Sequence, residues 1–255
     1  MIKFENTEVV GWEHAIRGMR NPMNSWEKSD SGYHCPYYKN KERVCSGCNE
    51  NICIGSNDLK LMMNLRSSGT DHRKFMRMIT VYVDITAPLY WWKEFDTYRV
   101  GVEKNSCSTM HKIHNKRFER EDFSIEHMHN FEEEHWMVTM DNVIASLNVA
   151  REKYLETSKD LENDMERDEM LRLHKLKKCY WWQMIQLLPS SYNQKRTVMM
   201  NYEVLANIYS SRKNHKLDEW SVGFMEWIES LPYSELICGP EFLRKEFNVK
   251  KGEEK

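Results

Sequence analysis

The stretch 80-TVYVDITAPLYWWKEFDTYRVGVEKNSCSTM-110 decides how the rest of the chain is read. Val81, Val83 and Ile85 alternate with Tyr82, Asp84 and Thr86, a period of two in β-branched residues that predicts a strand with one buried face. Ala87-Pro88 stops the strand, and a segment dense in Tyr, Trp and Phe follows with helical character. Asn105-Ser106-Cys107-Ser108 then forms a polar cluster of the kind that lines a site rather than a core. A second stretch, 187-LLPSSYNQKRTVMMNYEVLANIYSSRKNHKLDEW-220, has to be read together with the first.

Composition bounds the answer. The 255 residues, 40% of them hydrophobic, suffice for a sizeable core, and no apolar run approaches the ~18 residues of a membrane span. A net charge of −2 gives no whole-chain reason to expect nucleic acid or a bilayer as partner. The segment MIKFENTEVVGW lacks signal-peptide architecture, so a cytoplasmic protein is expected. Seven cysteines, an odd count with one CxxC, point to metal or thiols in a reducing compartment rather than to a disulfide framework. Only 10 Gly and 6 Pro beside abundant Met, Trp, Glu and Lys suit a mainly helical chain.

Outward from the first stretch, a strand is expected at Thr7–Val10 and helices at His14–Arg20 and Asp58–Ser67. C-terminally, helices are expected from Trp136 to about Glu156, over the highly charged Asp160–Lys178, at Tyr180–Leu188, and as amphipathic segments at Val198–Tyr209 and Leu217–Ser230.

Between the first two helices, residues 31–56 become cysteine-rich and loop-like. The run HCPYYKNKERVCSGCNENIC sets Cys35, Cys45, Cys48 and Cys53 close together with His34 adjacent, and Cys45-Ser46-Gly47-Cys48 has the spacing that brings two sulfurs to one ion. Four thiolates make a closed tetrahedral zinc site, and metal binding would supply the folding energy of a loop this poor in apolar residues. Cysteines in a loop without metal are the alternative. His127, His129, Glu132, Glu133, Glu134 and His135 invite a second metal reading, which the absence of a zincin-type spacing argues against.

The second stretch resembles the C-terminal half of flavin-dependent thymidylate synthases. It carries Leu188-Pro189, Asn201, Asn207, Arg212, His215 and Glu219 in that family's order. Upstream, His72, Ala87-Pro88, Glu94, Thr97-Tyr98-Arg99 and Ser108 fall where the family has a His, an Ala-Pro after a strand, a Gln, its Arg-His-Arg signature and the Ser of its dUMP loop. The resemblance spans roughly residues 60–230 and implies one α+β domain over 1–255, with a mixed central sheet flanked by helices and the cysteine-rich loop as an insertion. It implies FAD as cofactor, methylenetetrahydrofolate and NADPH as further reactants, a pyrimidine deoxynucleotide as substrate, and a homotetramer. By the same resemblance Arg212 meets the uracil ring as the catalytic residue. Ser108, Arg99, Glu94 and Cys107 face the substrate, while His72, Asn201, Asn207, Tyr98 and Ser106 face the flavin.

The departures are also informative. Thr97-Tyr98 stands for Arg-His, Glu94 for Gln and Met110 for an Arg, and Met184, Ile185 and Gln186 occupy the place of the Arg before Leu-Pro. Each lost guanidinium fork removes charge-assisted bonds to a phosphate, about 1.5–3 kcal/mol apiece. Lys93, Lys104, Lys112, Lys195 and Arg196 are the cations at hand to compensate. A non-catalytic descendant of the fold, kept for nucleotide binding or assembly, is the alternative to an enzyme.

Overall fold

The computed structural model describes residues 2–32, 52–129 and 135–239. Its strands are β1 (Lys3–Val10), β2 (Thr80–Pro88), β3 (Val102–Ser106) and β4 (Asn193–Asn201). They form one four-stranded antiparallel sheet in the order β1-β2-β4-β3. The helices are α1 (Trp12–Arg20), α2 (Ser56–Ser67), α3 (Leu89–Phe95), α4 (Thr109–Lys112), α5 (Trp136–Asp160), α6 (Arg167–Leu187), α7 (Tyr202–Arg212), α8 (Met225–Glu229) and α9 (Glu235–Cys238). A π-helical turn, Glu219–Phe224, precedes α8. The α+β class with helices around a central sheet is therefore as expected, and the sheet is antiparallel rather than mixed. No helix among the described residues is long and apolar enough to cross a membrane.

The chain divides into two compact units. One comprises Thr86–Thr97 and Asn105–Arg196; the other comprises Ile2–Ile85, Tyr98–Lys104 and the residues from Thr197 onward.

In the first unit α5 and α6 pack on each other around Ile113, Phe118, Phe123, Met140, Ile144, Leu147 and Met184. The buried Asn148 amide is satisfied at both ends, donating to the carbonyl and accepting from the N–H of Phe118. α3 starts where Pro88 allows, and two of its first N–H groups are taken up by Tyr192 and Ser190 carbonyls. Trp91, Trp92 and Phe95 bury one flank of α3, and the Trp92 indole N–H donates to the Gln194 carbonyl at 2.9 Å.

In the second unit the alternation of β2 works as the sequence implies: Val81, Val83 and Ile85 are buried and Tyr82 is exposed. Tyr202, Leu205 and Ile208 on α7 are buried at helical spacing, together with Trp220, Phe224 and Ile228. The Tyr202 hydroxyl donates to the Pro232 carbonyl, which ties α7 to the chain before α9. A buried ion pair, Arg20 Nε to Asp58 Oδ1 at 2.7 Å, fastens α1 to α2. Asp58 also accepts from the hydroxyls of Ser29 and Ser31 and from the N–H groups of Asp30 and Ser31. Arg20 reaches the carbonyls of Ser25 and Lys28, so the whole 25–31 segment hangs on this pair.

β3, α4 and α9 lie where the sequence reading expects no element, and three expected elements take another form. Asn193–Asn201 is a strand, and the helix expected from Val198 begins only at Tyr202. Arg167–Leu187 is one continuous helix, so the boundary expected near Tyr180 lies instead at the polar turn after Asp160. The segment expected as one helix over Leu217–Ser230 is a π-helical turn followed by a short α-helix.

Candidate functional site

In the second unit Arg212 and Tyr98 meet at the C-terminal end of α7. Arg212 Nε donates to the Tyr98 hydroxyl oxygen at 3.0 Å, and its guanidinium lies 5.1 Å from the Trp220 ring centroid and 5.7 Å from that of Tyr98. Ser211 Oγ donates back to the carbonyls of Asn207 and Ile208. Its contact with Tyr98, 3.2 Å between oxygens, is therefore one in which the phenol donates. A relay of bonds runs from Arg212 through Tyr98 and Ser211 to the α7 backbone, and its members polarise in one direction. His215 stands 6.4 Å from Trp220, centroid to centroid, and Glu219 is buried. Tyr98, read from the resemblance as a flavin contact, is thus placed as the residue that holds Arg212.

At the first turn of the same helix is an arrangement the sequence reading missed. Glu203, buried on α7, pairs with both Arg73 and Arg77. Arg73 Nη2 donates to Asn207 Oδ1 at 2.9 Å, which fixes the amide so that its Nδ2 hydrogens are the outward-facing donors. The available signal was the four-residue spacing of Arg73 and Arg77, which puts two guanidinium groups within reach of one acceptor. His72, next to Arg73, is exposed. Asn201 ends β4 and caps α7, its Oδ1 accepting from the Val204 N–H at 3.0 Å. Gly101, at φ +72°, faces it: a Cβ there would stand 2.8 Å from Asn201 Nδ2. Only glycine supplies both that backbone conformation and that space.

The singled-out residues of the first unit form a separate group. Ser106 ends β3, and Cys107 is stitched to β4 twice: its N–H donates to the Lys195 carbonyl at 3.0 Å and its carbonyl accepts from Gln194 Nε2 at 2.8 Å. Ser108 caps α4, its Oγ accepting from the His111 N–H. Ser106, Cys107 and Ser108 are all exposed, so the loop presents one thiol and two hydroxyls outward from a fixed backbone. Arg196 spends its guanidinium inside the protein, on Asp96, on Gln194 Oε1 and over the Trp92 ring at 4.2 Å. It therefore braces α3 against β4. Glu94 is half-buried on α3. Arg99, in the other unit, is exposed.

Cys35, Cys45 and Cys48 lie outside the described residues, as do Glu132, Glu133 and Glu134. Cys53 is half-buried, its backbone paired with that of Gly32. Among the described residues no group of three or more His, Cys, Asp or Glu side chains is placed to hold a metal ion.

An antiparallel four-stranded sheet carrying these helices defines the class: the chain has the fold of the flavin-dependent thymidylate synthases. Two structures of thymidylate synthase X from Helicobacter pylori, each with FAD and dUMP, superpose with TM-scores of 0.58 and 0.56. In both cases the match covers 94% of this chain and 98% of the other at 13% identity. No protein-family model and no curated protein sequence matches the chain.

Proposed function

We propose that the chain is a flavin-dependent methyltransferase acting on C5 of a deoxyuridine nucleotide, dUMP to dTMP or a close pyrimidine variant. The observation that carries this reading is Arg212. The residue that the resemblance puts against the pyrimidine is the one the second unit builds around, gripped by Tyr98 and laid over Trp220. The similar structures, whose fold matches over nearly the whole chain, hold FAD and dUMP.

The residues present fit a flavin. Asn207 is oriented by Arg73 to offer amide hydrogens, and Gly101 leaves the space beside the Asn201 amide that a side chain would fill. FAD, when bound, supplies the redox chemistry that turns a one-carbon unit from methylenetetrahydrofolate into a methyl group, with NADPH as reductant. The protein's own part is binding and electrostatics. The Arg212 guanidinium stabilises the negative charge that develops on the pyrimidine ring as C5 becomes nucleophilic. Its relay through Tyr98 means that little reorganisation is needed when that charge appears. His72 and the two asparagines face the flavin. Ser108, whose oxygen is occupied by His111, keeps its hydroxyl hydrogen to donate to a nucleotide oxygen. Arg99, Glu94 and Cys107 complete the substrate side in this reading, and Ser106 the cofactor side.

The reading includes a cytoplasmic homotetramer and, from cysteine spacing alone, one zinc held by Cys35, Cys45, Cys48 and Cys53. Protein purified untagged under reducing conditions is expected to show a yellow flavin spectrum or take up added FAD, to have the mass of four chains by light scattering, and to carry about one zinc per chain. A colourless preparation that also rejects FAD would overturn the enzymatic reading in favour of a non-catalytic descendant. Absence of zinc would remove the metal alone.

A further inference from the structure

We propose that the junction of α4, α5 and α6 is a phosphate-binding site built from Lys112, Arg151 and Lys177 around His114, and that it takes the 5′-phosphate of the pyrimidine nucleotide. The nucleotide part rests on the function proposed above; the phosphate site stands by itself.

The site lies wholly within the first unit. His114, five residues beyond the start of α4, packs against Tyr154 of α5 with ring centroids 4.6 Å apart and the ring planes tilted by 38°. Its Nδ1 is buried and has no hydrogen-bond partner. Lys177 of α6 reaches over the Tyr154 ring, its Nζ 5.0 Å from the centroid. Arg151 of α5 donates through Nε to the His114 carbonyl at 2.8 Å and through Nη2 to the Asn115 carbonyl at 3.5 Å. Lys112, on the last turn of α4, lies two residues before His114 in the chain. Arg151 and Lys177 are half-buried, Lys112 is exposed, and none of the three makes an ion pair with a carboxylate among the described residues. The neighbouring acids are taken: Glu152 pairs with Arg117, Glu156 with Lys153 and Asp122 with Lys116.

Cations brought together without a counter-charge repel one another. Burial first, and then Lys112, Lys177 and Arg151, hold the His114 imidazole below its ordinary range. Arg117, Arg120, Arg172 and Arg196 of this unit each have a carboxylate. A dianion placed among the three cations would remove the repulsion and gain charge-assisted hydrogen bonds.

The location fits the nucleotide. Trp181, one turn beyond Lys177 on α6, donates its indole N–H to the Met110 carbonyl at 2.9 Å. The basic group is thereby fastened beside Met110, where the resemblance places an arginine this chain lacks. Two lysines and an arginine act mainly as point charges here, so binding will depend strongly on salt.

The test is calorimetric titration of the full-length protein with inorganic phosphate, dUMP and deoxyuridine at low and high salt. It is repeated on Lys177→Met and Arg151→Gln, with thermal melts to show that both variants fold. In parallel, the His114 ring is followed by NMR, assigned through His114→Gln. Expected are phosphate binding that competes with dUMP, deoxyuridine binding about tenfold weaker than dUMP, a loss of about tenfold in phosphate and dUMP affinity in each variant, and a His114 titration midpoint that rises on adding phosphate. Phosphate binding that weakens in the variants without competing with dUMP would keep the phosphate site and overturn its assignment to the nucleotide. If folded variants bind phosphate as wild type does, or phosphate leaves the His114 midpoint unmoved, the site itself is overturned. Failure to take up FAD would count against the function above and leave these phosphate results intact.

Discussion

Replacing Arg212 by Ala is expected to lower kcat by about 10²–10³-fold, equivalent to about 2.7–4 kcal/mol of transition-state stabilisation. Flavin absorbance and the melting temperature should stay near wild type. Arg212 is half-buried at the last turn of α7, and its Nε bond goes to a side chain, Tyr98, rather than to the fold's backbone. Its removal costs the site more than the fold. Tyr98→Phe deletes only the hydroxyl that receives Nε, so it should give a smaller loss in kcat than Arg212→Ala with a similar KM. Steady-state kinetics with absorbance spectra of the three proteins measure this. An Arg212→Ala enzyme that turns over at the wild-type rate, or that loses its flavin, would contradict the role assigned to the guanidinium.

The largest effect on stability is expected at Asp58. Asp58→Ala leaves Arg20 buried without its counter-charge and frees two hydroxyls and two N–H groups of the 29–31 segment. Breaking a buried ion pair in this way costs about 3–5 kcal/mol, or roughly 10 °C in melting temperature for a chain of this size. Burial pushes the Asp58 carboxyl up, but hydrogen bonds from Ser31, Ser29 and Arg20, with the charge of Arg20, outweigh it and hold the group below the usual carboxylate value. A depressed folded pKa means that the stabilisation is fully present above the unfolded value, about 3.9, and is lost as pH falls through the folded one. The melting-temperature gap between wild type and variant should therefore be constant down to about pH 4 and narrow below it. A gap that is small at neutral pH, or that widens in acid, would show that Asp58 does not hold the 25–31 segment.

The sequence shows β2 plainly, because VYVDIT alternates and one face is buried as its pattern requires. It conceals β4, whose two adjacent charges, Lys195 and Arg196, interrupt any alternation. What makes a strand of that segment is long-range: Asp96 neutralises Arg196, the Gln194 amide reaches Cys107, and its carbonyl receives Trp92. Local propensity carries none of those partners. Val198, Met199 and Met200 run straight into Tyr202 and read as one helix with it, whereas the change from period two to period 3.6 falls at Asn201, a strand end and helix cap at once. The highly charged α6 hides its length in the opposite way. Its aromatic C-terminal third looks like a new element, yet nothing between Lys178 and Tyr180 breaks a helix.

Of the site, the order Asn201, Asn207, Arg212 was legible through the family resemblance, and the structure sets all three on or at the start of α7. The supports were not legible. Tyr98 lies far from Arg212 in sequence, and Arg73 and Arg77 far from Glu203, so only the fold brings them together. The cations of the first unit show the same limit. Lys112 stands out beside Met110, but Arg151 and Lys177 sit in the middle of two long helices whose charges otherwise read as solvated faces.

The most direct measurement is release of tritium from dUMP labelled at C5, since replacing the C5 hydrogen by a methyl group frees it to water. With FAD, NADPH and methylenetetrahydrofolate all present, the protein is expected to release label in proportion to dTMP formed, to stop when FAD is omitted, and to slow by about 10²–10³-fold in Arg212→Ala. If FAD-loaded protein, saturated with dUMP and supplied with both co-reactants, releases no tritium above the protein-free control, the proposed activity on dUMP is contradicted.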